Sequence, residues 1–436
     1  MTRQSTHLPL KIFLNGRFVG NLRKNSAGAI DFQYAASWLS WEHAMPVSLS
    51  LPLREDRYIG KQVIAVFENL LPDNKTIRQH VARRFHAEGY DAYSLLSAIG
   101  RDCVGALQFL EGDREPSPSD KIEGRIARPE EIADILNNLS TAPLGVDEEM
   151  DFRISIAGAQ EKTALLYWQG KWHIPQGTTA TTHILKPAMG IIQHGIDMSH
   201  SVENEHFCMS FLSAVGLPTA KTAIGNFAGK QALVVERFDR QWAKDGRLLR
   251  LPQEDMCQAL SISPDIKYES DHGPGMKHIL ELLKGSDTPQ EDQRTFLQAQ
   301  ILFWILGATD GHAKNFSIFL SSNGGYRLTP IYDVLSAQPC ADAGQIRKNQ
   351  MKLAMAVGDG RHYVIHTIAL RPFVQTAKSV GISEDFVLEI RNDLLNKIPQ
   401  ALEAVFDCLP KSFPLDIAKS ISNGVKSRLG LLAIAE

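Results

Sequence analysis

The chain has 436 residues, of which 46 are basic and 49 are acidic, so its formal net charge is −3. At roughly 150 residues per domain, this length predicts two or three domains. A charge balance this close to neutral excludes a protein that binds nucleic acid through its overall charge, so any DNA contact needs a local basic patch. The hydrophobic content of 44% is that of an ordinary globular protein and excludes extensive disorder.

Two further features of the sequence concern its compartment. The segment from Met1 to His7 has no apolar run behind a basic start, so it does not resemble a secretory signal. The most apolar stretch, from Ile301 to Ala308, is far shorter than the roughly 20 residues that cross a bilayer. The five cysteines are widely spaced and form no CxxC pair, which argues against a zinc ribbon or a disulfide framework. We therefore expect a cytoplasmic protein with no membrane partner.

The first third of the chain predicts a hairpin, a helical region and a loop. Residues 11–19 read as two strands around Asn15 and Gly16, a typical two-residue turn. Apolar residues then recur at helical spacing from about Val63 to Ala98. The acidic, Pro- and Ser-containing stretch from Glu111 to Asp120 predicts a surface loop.

The remainder predicts a strand-rich part followed by a helical part. After residue 253 we expect mostly helix, interrupted by a single hairpin. The predicted elements are strands 163–168, 171–175 and 182–186, helix 201–215 ending at Gly216, hairpin strands 220–227 and 231–236, helix 296–306, and hairpin strands 316–320 and 326–331. This order suggests a small β-rich lobe and a larger helical lobe, and a cleft between such lobes is a natural nucleotide site.

The strongest motif is the run Asp-Gly-His-Ala-Lys-Asn from Asp310 to Asn315, which follows the apolar helix. The catalytic loop of protein kinases has this spacing between an Asp that accepts the substrate hydroxyl proton and an Asn that holds Mg²⁺. The hairpin that follows runs to Asp333, where kinases place a second metal ligand. Mg²⁺ prefers such oxygen ligands, while a separate carboxylate can orient the attacking hydroxyl. The alternative is a simple turn at Asp310 and a helix cap at Asn315.

Three weaker signals lie upstream of this motif. The small residues between Ser155 and Lys162 suit a loop whose backbone N–H groups cradle a phosphate, or an ordinary tight turn. Lys186 ends an apolar strand and suits a nucleotide phosphate, as the strand lysine of kinases does, or it is a surface lysine. Glu203 or Glu205 is available to pair with it, and the sequence does not choose between them.

The third weak signal is the segment that leaves the strand ending near residue 236. A hinge there would bind adenine through its backbone, with Glu236 and Phe238 beside the ring. The alternative is a strand end followed by a charged turn.

Several motifs in the same order resemble one family, the HipA-type serine/threonine kinase toxins of bacterial type II toxin–antitoxin modules. The likeness covers nearly the whole chain. The motifs are FENLLPDN from Phe67, GRDCVG from Gly100, FRISIAGAQEKTALL from Phe152, THILKP from Thr182, VENEHFC from Val202, LVVERFDR from Leu233, LPQEDMCQAL from Leu251, ATDGHAKNFS from Ala308 and LTPIYDVLS from Leu328.

This resemblance implies an α+β fold: a two-lobed, protein-kinase-like structure with an N-terminal α/β subdomain and a mainly helical C-terminal lobe. We expect an N-terminal domain over residues 8–112 and a linker over 113–150. The β-rich nucleotide-binding part of the kinase core would then cover 151–245, and the helical lobe 246–436.

The resemblance also implies ATP and Mg²⁺ as cofactors and assigns the site residues. Asp310 falls at the catalytic base, Asn315 and Asp333 at the metal ligands, and Ser155 at the autophosphorylated serine. The remaining residues expected at the nucleotide are Ala157, Gly158, Ala159, Gln160, Glu161, Lys162, Lys186, Glu236, Arg237, Phe238, His312, Ala313, Lys314 and Tyr332.

The resemblance finally implies partners and a role. Such a kinase transfers the ATP γ-phosphate to a translation protein, glutamate–tRNA ligase, and to its own serine, which inhibits growth and promotes persistence. It co-represses its operon with HipB, a helix-turn-helix antitoxin that binds operator DNA. Lys378 resembles a DNA-contacting position, whereas Gly381 stands where an arginine is expected. The alternative function is a non-catalytic, DNA-bridging co-repressor with a kinase fold; a small-molecule kinase is a third reading.

Overall fold

The computed structural model describes residues 7–118, 121–139, 144, 154–158 and 160–434. The chain divides into two compact units, and each is formed by segments that are distant in sequence. The first unit comprises Met1–Pro187, Asn226–Asp265 and Ile318–Tyr326. The second comprises Ala188–Gly225, Ile266–Ser317 and Arg327–Glu436.

The strands are numbered in chain order. They are β1 Leu10–Leu14, β2 Arg17–Lys24, β3 Ile30–Tyr34, β4 Tyr58–Ile59, β5 Leu107–Glu111, β6 Gly124–Ile126, β7 Thr163–Trp168, β8 Lys171–Pro175, β9 His183–Pro187, β10 Gly190–Ile191, β11 Asp197–Met198, β12 Thr222–Phe227, β13 Lys230–Glu236, β14 Arg240–Trp242, β15 Leu248–Arg250, β16 Gln253–Asp255, β17 Ser317–Leu320, β18 Tyr326–Leu328, β19 Lys352–Val357 and β20 His362–Val364.

The helices are numbered in the same way. They are α1 Ala36–Leu39, α2 Lys61–Glu68, α3 Lys75–Arg84, α4 Ala92–Ile99, α5 Pro129–Asn137, α6 Ser201–Val215, α7 Met256–Ala259, α8 Met276–Leu283, α9 Pro289–Leu306, α10 Gln338–Asp342, α11 Leu370–Ser379, α12 Glu384–Cys408 and α13 Leu415–Ala433.

The first unit begins with a five-stranded sheet in the order β4-β3-β2-β1-β5. Strands β1 and β2 join through Asn15 and Gly16, whose φ angles are 46° and 84°. Two left-handed residues in a two-residue loop match the twist of the adjoining strands, so the predicted hairpin is confirmed. Helices α2 and α4 supply apolar side chains to the core of this sheet, where Phe32, Phe67 and Phe109 are fully buried.

A second sheet has the order β12-β13-β9-β7-β8-β6, and its strands β6, β7, β8, β9 and β13 belong to the first unit. Strand β9 lies inside this sheet and pairs antiparallel with both β13 and β7. Helix α5 contributes the buried side chains of Ile132 and Leu136 to the core of this unit. The range 113–150, which we expected as a linker, therefore contains a strand, β6, and a packed helix.

The second unit is mainly helical, and the C-terminal part of α9 is deeply buried. Every residue of α9 from Phe296 to Leu306 is buried, as expected for a helix surrounded by others. The helix ends at Gly307, whose φ of 70° is left-handed. There the N–H of Ala308 donates to the carbonyl of Phe303 at 2.8 Å, a common way to terminate a helix.

Most predicted elements are present, and one prediction is wrong. Strands β7 and β8 and helix α6 have the predicted bounds. The chain after residue 253, however, contains β16 and the antiparallel pair β19 and β20 in addition to the predicted hairpin. Strand β19 lacks polar–apolar alternation because Leu353 to Val357 are all buried. Its Leu, Ala and Met residues also favour helix. Neither the pattern nor the composition of this segment therefore predicts a strand.

Candidate active site

The predicted catalytic loop follows directly from the end of α9. Within it, the N–H of His312 donates to the carbonyl of Asp310 at 2.8 Å, and the N–H of Asn315 donates to that of His312 at 2.9 Å. A Cβ on Gly311 would lie 2.4 Å from the ring of Phe303 on α9. Only glycine therefore lets the loop pack this closely on the helix.

Asn315 brings the predicted base and the predicted metal ligands together. Its amide Nδ2 donates to the backbone carbonyl of Asp310 at 2.9 Å and to that of Asp333 at 3.3 Å. Both amide hydrogens are thus engaged, which leaves the Oδ1 atom of this 4% exposed residue as its remaining polar atom. An amide oxygen beside a carboxylate is the type of ligand pair that Mg²⁺ accepts, with phosphate oxygens and water completing its shell.

Asp333 occupies a strained and well-anchored backbone position. Its φ is 62°, which few residues other than glycine adopt and which Asp and Asn tolerate best. Three residues later, the Oγ of Ser336 donates to the carbonyl of Leu306 at 2.6 Å. The backbone N–H and carbonyl of Ser336 both bind the side chain of Asn204 at 2.8 Å. These buried bonds fix the segment that carries Asp333 against α9 and α6.

The other loop residues predicted at the nucleotide are buried. His312, Ala313 and Lys314 are 4%, 0% and 6% exposed. The Tyr332 hydroxyl donates to the carbonyl of Lys314 at 2.8 Å and lies 2.6 Å from the Oγ of Ser317. Because Tyr332 directly precedes Asp333, this hydrogen bond connects the end of the predicted catalytic loop to the segment that carries Asp333.

Tyr268 is a site residue that the sequence analysis missed. Its hydroxyl donates to Oδ1 of Asp310 at 2.5 Å, and its ring meets that of His312 edge-on with centroids 4.8 Å apart. It lies 42 residues before Asp310 in a segment without a recognisable motif, so no local signal in the sequence pointed to it.

In the first unit, the predicted phosphate loop starts from a buried anchor. Ser155 is 0% exposed, its Oγ donates to the carbonyl of Leu70 at 2.8 Å, and its N–H donates to the carbonyl of Asp102 at 3.0 Å. The loop then turns at Gly158, whose φ is 111°. A backbone that turns through glycine can bring N–H groups close to a phosphate.

Two later residues of this loop donate side-chain hydrogen bonds to backbone carbonyls. Lys162 Nζ donates to the carbonyl of Ala157 at 2.7 Å, and Gln160 Nε2 donates to that of Pro187 at 3.3 Å. Glu161, between them, is exposed. Ala159 lies outside the described residues.

Lys186 is buried near the end of β9, with 6% of its surface exposed. The two candidate partners, Glu203 and Glu205, are both buried on α6 in the second unit. Glu236 is exposed at the end of β13, and Phe238 is half-buried with its ring 5.9 Å from that of Phe319.

Arg237, also expected at the nucleotide, belongs to a buried ionic cluster. We define the "arginine cluster" as Asp102, Arg237, Asp239, Arg240 and Arg250, all 9% exposed or less. Arg237 contacts both carboxylates, at 3.3 Å and 2.8 Å, and its N–H donates to the carbonyl of Thr182. Its guanidinium and its N–H are thus both bound within this unit, and the expected place of Arg237 at the nucleotide stays a prediction.

The arginines of this cluster control the charge of Asp102. Burial alone would raise the pKa of this carboxyl, but Arg240, Arg237 and Arg250 together lower it well below its usual range. The nearest distances are 2.9 Å from Arg240 and 3.1 Å from Arg250. Asp102 is therefore a buried carboxylate, and its charge is compensated inside the first unit.

Lys378, the predicted DNA contact, is exposed near the end of α11. Its Nζ lies 3.0 Å from Oε2 of Glu384, with both side chains more than half exposed. Gly381 has a φ of 81°, a conformation that an arginine would adopt only with strain. The local backbone thus explains why glycine occupies this position.

Metal-binding clusters and membrane-spanning helices are both absent from the residues that the structure describes. These residues contain no group of three or more His, Cys, Asp or Glu side chains arranged to hold a metal ion. Among the helices that the structure describes, none has the length and apolar character that a bilayer crossing needs.

Comparison with known protein families identifies both parts of the chain. The sequence model of the HipA N-terminal domain matches residues 10–110. That of the HipA-like C-terminal domain matches residues 154–402, which is more than half of the chain. The chain belongs to the HipA family. The range of the C-terminal match includes Ser155, Lys186, Asp310 and Asp333.

Individual HipA relatives match over nearly the full length. The Sinorhizobium fredii protein Y4mE is 34% identical over 400 residues, covering 91% of this chain and 90% of the relative. The serine/threonine-protein kinase toxin HipA of Shewanella oneidensis is 27% identical, covering 94% and 91%. A solved complex of Shewanella oneidensis HipA with HipB and operator DNA matches with a TM-score of 0.80 at 25% identity, covering 97% of this chain and 98% of that one.

These findings confirm the predicted family, fold class and enzyme class. The chain is a HipA-type serine/threonine kinase with a mixed helix and sheet, kinase-like fold. The individual site residues, the cofactors and the protein substrate stay predictions.

Proposed function

We propose that this chain is the kinase toxin of a type II toxin–antitoxin module and transfers the γ-phosphate of ATP to serine or threonine hydroxyls. The observation that carries the proposal is the Asn315 amide, which joins the backbones of Asp310 and Asp333 within one unit. This contact supports the proposal because it links the backbone of the proposed base, Asp310, to those of the two proposed Mg²⁺ ligands, Asn315 and Asp333.

The residues divide the work by their chemistry. The carboxylate of Asp310, with 65% of its side chain exposed, accepts the hydrogen bond of the attacking hydroxyl and orients its oxygen. The Oδ1 atom of Asn315 and the carboxylate of Asp333 would hold Mg²⁺. ATP and Mg²⁺, when bound, supply the phosphoryl group and neutralise the charge on its oxygens.

In the first unit we assign phosphate binding to the loop that follows Ser155 and to Lys186. The support is the glycine turn at Gly158, which lets backbone N–H groups approach a phosphate, and the positive charge that Lys186 carries near the end of β9. We assign adenine binding to the segment formed by Glu236, Arg237 and Phe238. Glu236 is exposed and Phe238 is half-buried, whereas the guanidinium of Arg237 is bound in the arginine cluster.

The proposed partners follow from the HipA family. We propose that a HipB-like antitoxin binds this kinase on operator DNA and that the two co-repress their operon. The support is the likeness to the Shewanella oneidensis complex. We propose glutamate–tRNA ligase as the substrate on the family resemblance alone, with arrested translation and persistence as the result. All five cysteines are free thiols, which suits the cytoplasm.

The decisive experiment compares wild type with Asp310→Asn. We expect the variant to lose phosphoryl transfer by at least about 10²-fold, the scale of general-base effects. It should bind ATP within a few-fold of wild type, because Asn315 and Asp333 still hold the metal. Radiolabelled phosphate transfer measures the first quantity and calorimetric ATP titration the second.

Asp245→Asn, at an exposed carboxylate that pairs with Arg247, is the matched control and should behave as wild type. Loss of ATP binding and transfer together in Asp310→Asn would mean that Asp310 is a metal ligand or a structural residue. Transfer by that variant at the wild-type rate would refute the assignment of the base.

A further inference from the structure

We propose that Tyr268 is a positioning residue for phosphoryl transfer, which fixes the carboxylate of Asp310 by a hydrogen bond to Oδ1 and leaves Oδ2 for the attacking hydroxyl. This inference rests on the proposed function, in which Asp310 is the base. It adds a residue for which the kinase motif has no counterpart.

The geometry of the contact supports the role. The Tyr268 hydroxyl lies 2.5 Å from Oδ1 of Asp310, the short distance typical of an O–H donor to a carboxylate. Nε2 of His312 lies 3.9 Å from the same oxygen, which is too far for a hydrogen bond. Among the described residues, Tyr268 is thus the side chain that restrains this carboxylate, and the contact engages one of its two oxygens.

The ring of Tyr268 is placed independently of its hydroxyl. It meets the ring of His312 at an interplanar angle of 79°, edge-on, with centroids 4.8 Å apart. His312 is itself 4% exposed. Such edge-to-face packing is favourable and does not involve the hydroxyl, so a phenylalanine at this position would keep the ring in place.

The backbone around Tyr268 is also anchored. Its carbonyl accepts from the N–H groups of Asp271 and Gly273, at 3.1 Å and 2.9 Å. The next residue, Glu269, accepts from the N–H of Ala356 on β19 at 2.6 Å and lies 3.4 Å from Arg361. All of these residues belong to the second unit. The hydroxyl is therefore carried by a turn that does not depend on the contact with Asp310.

A second anchor of this turn is Gly273. A Cβ there would lie 2.0 Å from the carbonyl oxygen of Ile266, so the turn closes only around glycine. The turn that presents Tyr268 is thus built by tight backbone packing, as expected of a segment that must hold one side chain in one place.

The contact between Tyr268 and Asp310 is exposed, so its loss should affect the orientation of the carboxylate more than the stability of the fold. The side chain of Asp310 is 65% exposed, and exposed groups that lose a protein hydrogen bond regain one from water. Removing the hydroxyl should hence change folding little. An unrestrained carboxylate, however, samples several orientations, and holding a reacting group in one orientation lowers the barrier of the chemical step.

The test compares Tyr268→Phe, Tyr268→Leu and the control Tyr90→Phe, at a tyrosine 56% exposed in the first unit. The readouts are the rate at which radiolabelled ATP phosphorylates the chain itself, the ATP concentration at half the maximal rate, and the melting temperature. For Tyr268→Phe we expect a maximal rate about tenfold lower, with half-saturation within twofold and the melting temperature unchanged. Tyr90→Phe should match wild type.

Tyr268→Leu loses the ring as well and should lower the rate at least as much. If Tyr268 were only structural, both variants would have a lower melting temperature, or Tyr268→Phe would keep the wild-type rate because the ring alone would suffice. A wild-type rate in Tyr268→Phe overturns the inference, and a faster rate shows that the hydroxyl competes with the substrate, which also overturns it.

Asp310→Asn separates the two hypotheses. If wild type transfers phosphate and Asp310→Asn does not, a wild-type rate in Tyr268→Phe refutes this inference alone. If Asp310→Asn is as active as wild type, or if wild type transfers no phosphate, the proposed function fails and this inference fails with it.

Discussion

Asp333 presents its carboxylate from a left-handed backbone position, with a φ of 62°. Strained positions of this kind persist only where the surroundings fix them, and they are frequent at functional sites. Here the surroundings are Asn315, whose amide binds the Asp333 carbonyl, and Ser336, which is bound by Asn204. The strain is therefore consistent with a residue whose side chain must point in one direction.

We expect Asp333→Asn to weaken Mg²⁺-ATP binding by roughly tenfold or more, because it removes the charge that faces the cation. Asparagine tolerates the left-handed backbone, so the fold should persist. Calorimetric titrations with Mg²⁺ and with EDTA measure the two affinities. Metal-free nucleotide should bind the variant almost as well as it binds wild type, and an equal loss in both titrations would contradict the metal assignment.

Ser155 is a buried serine whose hydroxyl already has a partner, the carbonyl of Leu70 at 2.8 Å. A phosphate on it would add a charge of about −1.5 to −2 between the buried side chains of Ile154 and Ile156. An unpaired charge in such surroundings is costly. The modified segment should therefore leave its place and take the phosphate loop with it.

We accordingly expect protein incubated with Mg²⁺-ATP to gain one phosphate on Ser155 and to lose measurable ATP binding. Intact-mass spectrometry, peptide mapping and ATP titration of both forms check this. The Ser155→Ala protein, treated in the same way, should keep binding ATP. A phosphate that maps elsewhere, or a phosphorylated protein that binds ATP normally, would leave Ser155 as an ordinary buried loop serine.

At the scale of elements, the arginine cluster joins segments of the first unit that are far apart in sequence. Asp102 follows α4, Arg237 follows β13, and Arg250 ends β15. The Asp102 carboxylate also accepts from the N–H and the hydroxyl of Thr181, at 3.0 Å and 2.7 Å, just before β9. The backbone carbonyl of Asp102 also accepts a hydrogen bond from the N–H of Ser155. The cluster thus determines where the phosphate loop begins.

Asp102→Asn should lower the stability of the protein by roughly 3–5 kcal/mol, because it leaves three buried arginines with a single carboxylate. Denaturant unfolding followed by circular dichroism measures the loss. Asp245→Asn breaks an exposed pair with Arg247 and should leave the unfolding curve unchanged. If Asp102→Asn unfolds as wild type does, the cluster contributes nothing to stability.

Stability from Asp102 should also depend on pH in a defined direction. The pKa of this carboxyl is lowered in the folded protein, so its contribution is present above the pKa of the unfolded chain, near 4, and is lost as the pH falls. The difference between wild type and Asp102→Asn should consequently shrink in acid.

The sequence predicted the elements whose signals are local. Strands β7 and β8 have alternating or apolar runs around the turn at Gly170, and α6 has a glycine at its end with φ 100°. Strand β19 was missed because its helix-forming residues are buried on both faces. Its pairing with β20 depends on packing that periodicity alone does not reveal.

At the scale of the whole molecule, motif spacing predicted contacts between residues close in sequence and missed contacts between residues far apart. The five-residue interval from Asp310 to Asn315 predicts a catalytic loop, and in the structure the amide of Asn315 binds the backbone carbonyls of both Asp310 and Asp333. The roles of Tyr268 and Arg237 depend on partners 42 and 135 residues away in sequence. No spacing rule connects such pairs, so only the folded structure could show that Tyr268 binds Asp310 and that Arg237 binds Asp102.

The charge of the whole molecule also limits how it can meet DNA. The net charge is −3, and residues 341–436 hold 12 basic and 10 acidic residues. DNA affinity grows with the number of phosphates that Lys and Arg neutralise. Lys378 is paired with Glu384, and Gly381 offers no cation. The isolated chain therefore has few groups for the DNA backbone.

We expect most of the operator affinity of the proposed complex to come from the antitoxin. The isolated chain should bind operator and random duplexes equally and weakly at physiological salt. In the complex, Lys378→Ala should weaken binding slightly and reduce the slope of log affinity against log salt by about one unit, the effect of losing one phosphate contact. Lys284→Ala is the matched control, since Lys284 is also an exposed lysine paired with a carboxylate, Glu281. It should leave the slope unchanged.

Fluorescence anisotropy at several salt concentrations measures the affinities and the salt slopes. Tight, sequence-specific binding by the isolated chain would show that the kinase itself recognises the operator sequence.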